Sequence, residues 1–211
     1  KSVACLISDV VGGAIKQVHN KPVHGQTLLK VPIGEPKCVT RMRPEYVIGS
    51  AQFLRDNGAE GIVAGDTTVA YTGPRGHREN TSTDCSRYLQ LAREHGWSKQ
   101  DEASMPFVVL DRPITARQGE FEFDDEQRHI KISGVKHYRD FSISGGFDAA
   151  DYVINHAHVT LHGLAGFAGS IKSIAMGCSG LTGKLQMHKS LLPQFDRELC
   201  ICCGECVESC P

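Results

Sequence analysis

Apolar residues form short runs that alternate with helically spaced positions through the first half of the chain. The runs at 28–31, 61–65 and 105–110 have the length and composition of buried strands. Between them, apolar residues recur at helical spacing over 44–56 and 85–94, and a glycine follows each stretch closely. The resulting order, β-α-β-α-β, predicts an α/β domain whose sheet is largely parallel and flanked by helices.

Alternating apolar and polar positions replace this pattern near the middle of the chain. Segments 120–123 and 129–132 both alternate, and the aspartates at 124–125 suit a turn. We therefore predict an antiparallel β-hairpin, inserted in the domain or added at its edge. The run at 152–154 predicts a return to the core sheet, and the spacing over 165–176 predicts a further helix. The opening of the chain gives no clear pattern.

Length and charge limit the function classes. The chain has 211 residues and a mass of 23.0 kDa, enough for one domain with a hydrophobic core. Its 23 Lys and Arg residues stand against 24 Asp and Glu residues, which argues against a general nucleic-acid binder. No apolar run approaches the roughly 18 residues that a bilayer-spanning helix requires, so we expect no membrane span.

The nine cysteines are unevenly placed along the chain. A secreted domain held by disulfides would spread them through the fold, whereas crowding near one end indicates metal or cluster binding in a reducing compartment, expected to be the cytoplasm. The chain starts at Lys1 without a methionine and stops at Pro211, so we expect a piece of a longer protein and predict nothing about targeting. Five cysteines fall in the last 12 residues: Cys200, Cys202, Cys203, Cys206 and Cys210.

Four of these cysteines have a specific spacing: Cys200-x2-Cys203-x2-Cys206-x3-Cys210, followed by Pro211. This is the bacterial ferredoxin run for a [4Fe–4S] cluster. Two intervening residues let one loop aim successive thiolates at the corners of a single cubane, and Gly204 suits such a loop because it tolerates positive φ. The spacing predicts an iron–sulfur protein that transfers electrons to a redox partner protein, and oxidoreductase is the enzyme class that such a cluster would fit. A zinc site and plain thiols are the alternatives.

The fourth ligand of such a cluster is open on the sequence alone. In two-cluster ferredoxins the first three cysteines bind one cluster and the last, here Cys210, binds the other. The partner motif would then lie further along the protein. The internal alternative is Cys178, in a glycine-flanked loop, while Cys202 is expected to point away from the cluster. We accordingly divide the chain into an α/β domain at 1–192 and the start of a ferredoxin-type segment at 193–211.

Residues 155–188 combine histidines, glycines and lysines after a predicted core strand. Ligands in open α/β sheets bind at the carboxyl ends of the strands, so an active site is expected there. The candidate catalytic residues are Asp66, His162, Lys172, Lys184 and His188. The alternative function is therefore an enzyme that binds a small anionic ligand or a metal at these strand ends, and a third is a non-catalytic assembly module.

Two nucleotide-binding motifs fail in this segment. Gly163, Gly166 and Gly169 are spaced by three, so the G-x-G-x-x-G pattern is not met. Gly183-Lys184 lacks the first glycine and the final Ser or Thr of a phosphate-binding loop. We reject both nucleotide interpretations on the sequence.

The histidines leave two interpretations open. His156 and His158 would share one face of an extended strand and could bind a metal ion together with His162 or His188. The simpler interpretation is that they hydrogen-bond to backbone carbonyls, while the neighbouring glycines allow a helix to pack closely on the sheet.

Other polar residues also have structural alternatives to ligand binding. Asp66 follows a predicted strand and could bind a metal, act as a base or cap a turn. Lys30 could reach an anionic ligand from a strand end, although a surface ion pair is the simpler expectation. Arg75, His77 and Arg78 could cover an anion from their glycine-rich loop, and the simpler expectation is a solvated loop.

With these segments in view, the chain resembles the domain-of-unknown-function 362 family, which often carries a ferredoxin-type tail. The resemblance runs from about Leu28 to Pro211. It implies the α/β domain and a [4Fe–4S] protein, usually with two clusters, and it implies no particular reaction. The matching pieces are Leu29-Lys30-Val31-Pro32-Ile33-Gly34-Glu35-Pro36, Arg43-Pro44-Glu45-Tyr46, Gly65-Asp66-Thr67-Thr68, Tyr71-x-Gly73, Glu94-His95-Gly96, Ala165-Gly166-Phe167, Ile171-Lys172, Met176-Gly177-Cys178, Gly183-Lys184 and Met187-His188.

The chain departs from that family pattern at three positions. Thr160 stands where the family often has Lys, Ala168 where a second Gly is common, and Ser173 where Asn is common. An anion-binding role of that lysine in relatives would therefore not carry over to this chain.

Overall fold

The computed structural model of the chain describes residues 3–18, 21–59, 61–97, 105–116, 121–135, 139–163, 166–188 and 196–209. Five positions covered by the sequence analysis lie outside the described residues: Lys1, Glu120, Ala165, Cys210 and Pro211.

Helices and strands alternate along most of the described chain. Among the described residues, no helix is both long enough and apolar enough to cross a membrane. In chain order, the elements are α1 Val3–Val18, β1 Gln26–Lys30, α2 Pro44–Asp56, β2 Gly61–Asp66, α3 Ser86–Glu94, β3 Phe107–Val109, a 3-10 helix Pro113–Ala116, β4 Gln127–Lys131, β5 Asp140–Ser144, α4 Gly145–Asp148, β6 Tyr152–Asn155, β7 Thr160–His162, β8 Gly166–Ala168, α5 Ser170–Ala175, α6 Leu181–His188 and α7 Glu205–Glu208.

A parallel sheet of the order β3-β2-β1-β6 forms the centre of the domain. All three strand pairings in this sheet are parallel, and Lys30 at the end of β1 lies between Gly65 of β2 and Asn155 of β6. The sequence-based prediction of a β-α-β-α-β core, with α2 and α3 as the connections, is confirmed. The chain leaves β1 toward β2 on one side and returns as β6 on the other, so the strand order reverses at β1.

Buried apolar residues cover both faces of this sheet, as expected for parallel strands. On one face, Leu29 of β1 and Val109 of β3 belong to a cluster with Phe53 of α2. On the other, the neighbouring Leu28 belongs to a smaller cluster with Phe121. Successive residues of β1 therefore point to opposite cores, since side chains alternate along a strand.

Helix α1 had no counterpart in the sequence-based prediction. It packs against α2, and a Cβ placed on Gly12 would lie 2.9 Å from the Gly49 carbonyl oxygen. The glycine therefore permits close approach of the two helices. Gly12 and Gly13 also lower helix propensity, which explains why periodicity alone gave no clear pattern there.

The predicted hairpin exists, but its predicted first strand is wrong. Strand β4 pairs antiparallel with β5, which follows it, and not with residues 120–123. Phe121 is 2% exposed, and its ring meets that of Phe123 edge to face at 6.3 Å between centroids. Their alternation reflects insertion into the second core cluster, not strand pairing.

The helix predicted over 165–176 is shorter than expected. Strands β7 and β8 form an antiparallel hairpin first, and α5 begins only at Ser170. Strand β6 ends at Asn155, so His156 and His158 do not share the face of an extended strand as predicted. The β7–β8 hairpin and α5 instead carry residues 160–175 over the carboxyl end of the sheet.

Candidate functional site

A cavity of about 510 Å³ opens at the carboxyl edge of the parallel sheet. Lys30 and Asp66 are the last residues of the adjacent strands β1 and β2, and both line it. The strand order reverses at β1, and open α/β sheets bind ligands in the crevice at such a point. Parts of β7, β8, α5 and α6 complete the wall.

All five residues predicted to be catalytic lie on the wall of this one cavity. Asp66 ends β2, His162 ends β7, Lys172 lies in α5, and Lys184 and His188 lie one turn apart in α6. Positions as far apart in the chain as Asp66 and His188 are therefore brought together. The structure therefore places the five residues around one cavity, and their catalytic roles stay predictions.

Asp66 is buried and forms ion pairs with two cationic side chains. Its Oδ1 accepts hydrogen bonds from Lys30 Nζ at 2.9 Å and from the Thr67 backbone N–H at 3.0 Å, and its Oδ2 accepts one from Arg75 Nη2 at 2.8 Å. Burial alone would raise the pKa of Asp66, but the charges of Lys30 and Arg75 together lower it below its ordinary value. Asp66 is therefore a fixed anion.

Lys30 does not lie at the surface, where the simpler expectation placed it. It is only 1% exposed, so the predicted surface ion pair is wrong, and the pair it makes with Asp66 lies inside the molecule. The strand-end position was read correctly, but the sequence did not reveal that other segments cover this edge.

Arg75 corrects the prediction of a solvated loop. Its side chain is 12% exposed, and Nη1 donates to Glu35 Oε1 at 2.9 Å while Nη2 binds Asp66. Its Nε donates to the Tyr88 hydroxyl at 3.2 Å, and the guanidinium lies over the Tyr88 ring at 5.8 Å. Tyr71 donates to the same Glu35 oxygen at 2.7 Å. The loop after β2 therefore folds inward over the cavity.

Lys184 places a buried amine on the wall of the cavity. Its Nζ donates to Thr67 Oγ1 at 2.8 Å and to the Ser179 carbonyl at 2.6 Å. Among the described residues, no carboxylate forms a salt bridge with it. Burial lowers the pKa of Lys184, and the attraction of Asp111 and Asp66 does not reverse that shift.

Close packing of α6 against β5 fixes the position of Lys184. A Cβ on Gly183 would collide with the Ser142 carbonyl oxygen, so only glycine allows this approach. The Gly180 N–H donates to the same Ser142 carbonyl at 3.2 Å, and the Ser144 N–H donates to the Cys178 carbonyl at 2.9 Å. Gly183-Lys184 thus lies inside a helix and serves packing, in line with the rejected phosphate-loop interpretation.

Lys172 supplies a further cation to the cavity. It lies in α5, one turn below the β7–β8 hairpin, and burial lowers its pKa. No salt bridge to Lys172 is present within the described parts of the chain.

The histidines are distributed over separate positions. His158, His162 and His188 line the cavity, whereas His156 does not. His156 Nε2 is buried and has no hydrogen-bond partner within the described chain, and burial lowers its pKa to about 4. Within the described residues, no group of three or more His, Cys, Asp or Glu side chains is arranged to hold a metal ion. The shared-metal interpretation of these histidines has no geometric support there.

The β7–β8 hairpin has two different faces. Thr160, His162 and Ala168 line the cavity. Leu161 and Phe167 lie directly opposite each other in the pairing, and they are 94% and 71% exposed. The hairpin therefore covers the cavity with its polar face and presents an apolar face to solvent.

A second buried polar cluster beside the cavity was missed on the sequence. Asp111 follows β3 as Asp66 ends β2, and its carboxylate accepts bonds from the Thr68 N–H at 2.9 Å and the Thr68 hydroxyl at 2.5 Å. Arg112 Nη2 lies 2.6 Å from His77 Nδ1, and burial together with Arg112 lowers the pKa of His77. The sequence signal that could have identified this cluster is Asp111, a polar residue shortly after a third buried strand.

The described part of the cysteine tail is exposed. Cys200, Cys202, Cys203 and Cys206 are all free and exposed, and the Cys202 N–H donates to Cys200 Sγ at 3.4 Å. Gly204 has φ +83°, the left-handed conformation predicted for it. The donor set therefore suits a cluster in chemistry and in loop conformation, whereas the described sulfurs are not gathered into a metal-binding group.

Cys178, the internal alternative for a fourth ligand, lies in a different environment. It is 1% exposed, and burial raises the pKa of its thiol to about 11. A buried thiol with a raised pKa is a poor source of thiolate. The other candidate, Cys210, lies outside the described residues.

Fold and cavity together define an α/β protein with a cationic, ligand-sized cavity at the carboxyl edge of a parallel sheet. The chain belongs to the family described as Domain of unknown function (DUF362), which it matches over residues 27–200. This match confirms the resemblance for the α/β part and ends at Cys200, the first cysteine of the C-terminal spacing. No curated protein matches the chain, and no solved structure matches it.

Proposed function

We propose that the α/β domain binds a small molecule bearing a carboxylate or phosphate group in the cavity at the carboxyl edge. The charge of the lining carries this proposal. Among the described lining residues, the carboxylate of Asp66 stands against three cations, Lys30, Arg75 and Lys172, and the amine of Lys184 lines the same cavity. Cations remain in excess when Glu35, which pairs with Arg75 from outside the lining, is counted as well.

The size and location of the cavity support the same function. Its volume of about 510 Å³ lies within the range typical of small-molecule sites. The cations lie in a partly closed environment, where attraction to an anion is stronger than in bulk water. Asp66 is already shared between Lys30 and Arg75, so it does not neutralise Lys172 or Lys184.

Thermal unfolding with sodium phosphate, sodium acetate and sodium chloride at matched ionic strength tests this function. Phosphate or acetate should raise Tm with a saturable dose response, since a ligand that binds only the folded state stabilises it. Lys172→Gln should lose most of this response, and Lys131→Gln, which removes a lysine from an exposed position of β4, should keep it. Equal responses to all three salts, or equal responses of both variants, would contradict the proposal.

The cysteine tail supports a second, separate function. We propose that Cys200, Cys203, Cys206 and Cys210 hold a [4Fe–4S] cluster that passes electrons to a redox partner protein. The ferredoxin spacing, the exposed thiols and the left-handed Gly204 support this proposal. When bound, the cluster would supply one-electron chemistry. Binding would also order the loop, because metal sites and local folding are coupled.

Iron and acid-labile sulfide, measured per chain on protein purified without oxygen, test the cluster proposal. About four of each per chain is the expected result for one complete cluster. Almost none, in protein that is otherwise folded, would contradict the claim that these four cysteines hold a cluster.

A further inference from the structure

The hydrogen bonds of Lys184 account for two N–H groups and no more. Thr67 Oγ1 donates its own hydrogen to the Gly177 carbonyl at 2.9 Å, so toward Lys184 it acts as an acceptor. The Ser179 carbonyl is the other acceptor. A neutral amine has two N–H donors and one lone pair, whereas an ammonium has three donors. The two described acceptors match the two N–H donors of a neutral amine, and an amine held in this way keeps its lone pair.

The surroundings of Lys184 favour this neutral form. The residue is 8% exposed and lines the cavity. Burial lowers its pKa, and the nearby charges of Lys30 and Arg75 act in the same direction. A desolvated lysine beside other cations is a common environment for an amine nucleophile.

His188 lies one turn beyond Lys184 on the same helix and lines the same cavity. Its Nδ1 lies 2.8 Å from the Lys184 carbonyl oxygen. Because a carbonyl only accepts, Nδ1 carries the proton in the neutral ring, and Nε2 keeps its lone pair. His188 can therefore take up and return a proton at Nε2.

From these contacts we infer that Lys184 is an imine-forming nucleophile and that the ligand is a carbonyl compound with an acidic group, such as a 2-oxo acid. The assignment of an acidic group to the ligand rests on the proposed anion-binding function, with Lys172 as the cation that binds this group. The assignment of a carbonyl group rests on Lys184 and His188 alone.

The reaction balances without any further reactant. The Nζ lone pair attacks the carbonyl carbon, a C–N bond forms, and the electron pair of the C=O π bond moves to oxygen. His188 Nε2 takes one proton from the nitrogen and returns it to the oxygen, which gives a carbinolamine. His188 then transfers the second nitrogen proton to the hydroxyl in the same way, so the C–O bond breaks, water leaves and a C=N bond forms. The net change is amine plus carbonyl to imine plus water, with no oxidation or reduction.

Reductive trapping with glyoxylate and cyanoborohydride at pH 7 tests the inference. Glyoxylate carries an aldehyde and a carboxylate, and reduction fixes any imine as a stable adduct on the lysine. An ordinary lysine, with a pKa of about 10.4, is almost fully protonated at this pH and reacts slowly. Peptide mapping by mass spectrometry then gives the labelling rate of each lysine in the wild-type protein, so no variant has to fold.

Lys184 should be labelled at least about tenfold faster than the exposed Lys131, because a larger share of its amine is neutral. Lys172→Gln should slow the labelling of Lys184 by weakening carboxylate binding. Labelling of Lys184 no faster than Lys131 would overturn the inference.

Acetate present during labelling separates this inference from the proposed anion site. Slower labelling of Lys184 with acetate supports both. Rapid labelling that acetate does not affect supports the amine nucleophile and contradicts the anion site. Saturable stabilisation by acetate without labelling of Lys184 contradicts the nucleophile and leaves the anion site standing.

Discussion

Lys30 and Asp66 form a buried ion pair across adjacent parallel strands. Lys30 Nζ donates to Asp66 Oδ1 at 2.9 Å, and the side chains are 2% and 4% exposed. The two residues end β1 and β2, and the pairing of Lys30 with Gly65 places them at the same height in the sheet. The pair therefore forms part of the cavity wall and connects the core of the sheet to the proposed binding site.

Asp66→Asn should destabilise the protein by about 3–5 kcal/mol, since it leaves the buried charges of Lys30 and Arg75 without their shared carboxylate. Urea unfolding at pH 7 measures this change. The double variant Lys30→Met, Asp66→Leu should recover part of the loss, because it removes the buried charge of Lys30 while Arg75 keeps its ion pair with Glu35. A cost below about 1 kcal/mol for Asp66→Asn would contradict the role given to the pair.

The stability that the Lys30–Asp66 pair contributes also depends on pH. The folded-state pKa of Asp66 lies below its ordinary value of 3.8. Its stabilising contribution is therefore present above about pH 4 and is lost as the pH falls through the folded pKa. The difference in unfolding free energy between the wild-type protein and Asp66→Asn should shrink in that acid range.

The edge of the sheet that carries the cavity could be predicted from the sequence, because strand ends and the polar residues that follow them are local features. Asp66 ends β2 at this edge, and the glycine- and histidine-rich segment after β6 brings Lys172 and Lys184 to the same cavity. The inward fold of Arg75 could not be predicted, since it depends on Glu35 and Tyr88, which are distant in sequence.

The wrong strand pairing in the predicted hairpin also reflects tertiary contacts that no local pattern records. Periodicity identified β4 but not its partner, because Phe121 and Phe123 alternate like a strand while they pack into the core. A single period of alternation does not distinguish a strand from two aromatic residues that reach the same core cluster. Helix α1 was missed because Gly12 serves close contact with α2, which no local pattern records.

His156 should make the protein less stable in mild acid. Its folded-state pKa is about 4 against an ordinary value of 6.5, so the unfolded chain binds a proton that the folded chain does not. Stability should therefore fall as the pH drops from about 6.5 to about 4, by up to about 3 kcal/mol from this residue. Urea unfolding across that range, compared between wild type and His156→Gln, isolates the contribution.

Other buried histidines make this comparison necessary. Burial lowers the pKa of His77 and of His95 as well, so the wild-type curve alone does not identify the residue responsible. The wild-type protein should lose stability more steeply than His156→Gln below pH 6.5. Parallel curves over the whole range would show that His156 is not held neutral in the fold.

Gly183→Ala should destabilise the protein by about 1–3 kcal/mol, although alanine favours helices more than glycine does. The new Cβ would collide with the Ser142 carbonyl and push α6, with Lys184, away from β5. Gly163→Ala is the matched control, because no atom of the described residues outside its chain neighbours lies within 4 Å of its Cβ position. Thermal unfolding of both variants checks the prediction, and equal Tm values would contradict the packing argument.

Cys202 and Cys203 offer a matched test of the cluster ligands, since they are adjacent and both exposed. Cys203→Ser should lose the bound iron and sulfide, because the spacing assigns Cys203 as a ligand. Cys202→Ser should keep both, because Cys202 lies outside the ligand spacing. Iron and sulfide analysis after purification without oxygen measures the contents, and loss in both variants or in neither would contradict the assignment.

Calorimetric titration with inorganic phosphate tests the central claim, the cationic binding site at the carboxyl edge of the sheet, most directly. The account predicts saturable binding at one site per chain, at least about tenfold weaker in Lys172→Gln, which corresponds to about 1.4 kcal/mol. Lys131→Gln removes the same charge from an exposed position of β4, and this variant should bind phosphate as the wild-type protein does. Absence of saturable binding in the wild-type protein, or an equal loss in both variants, would contradict the account.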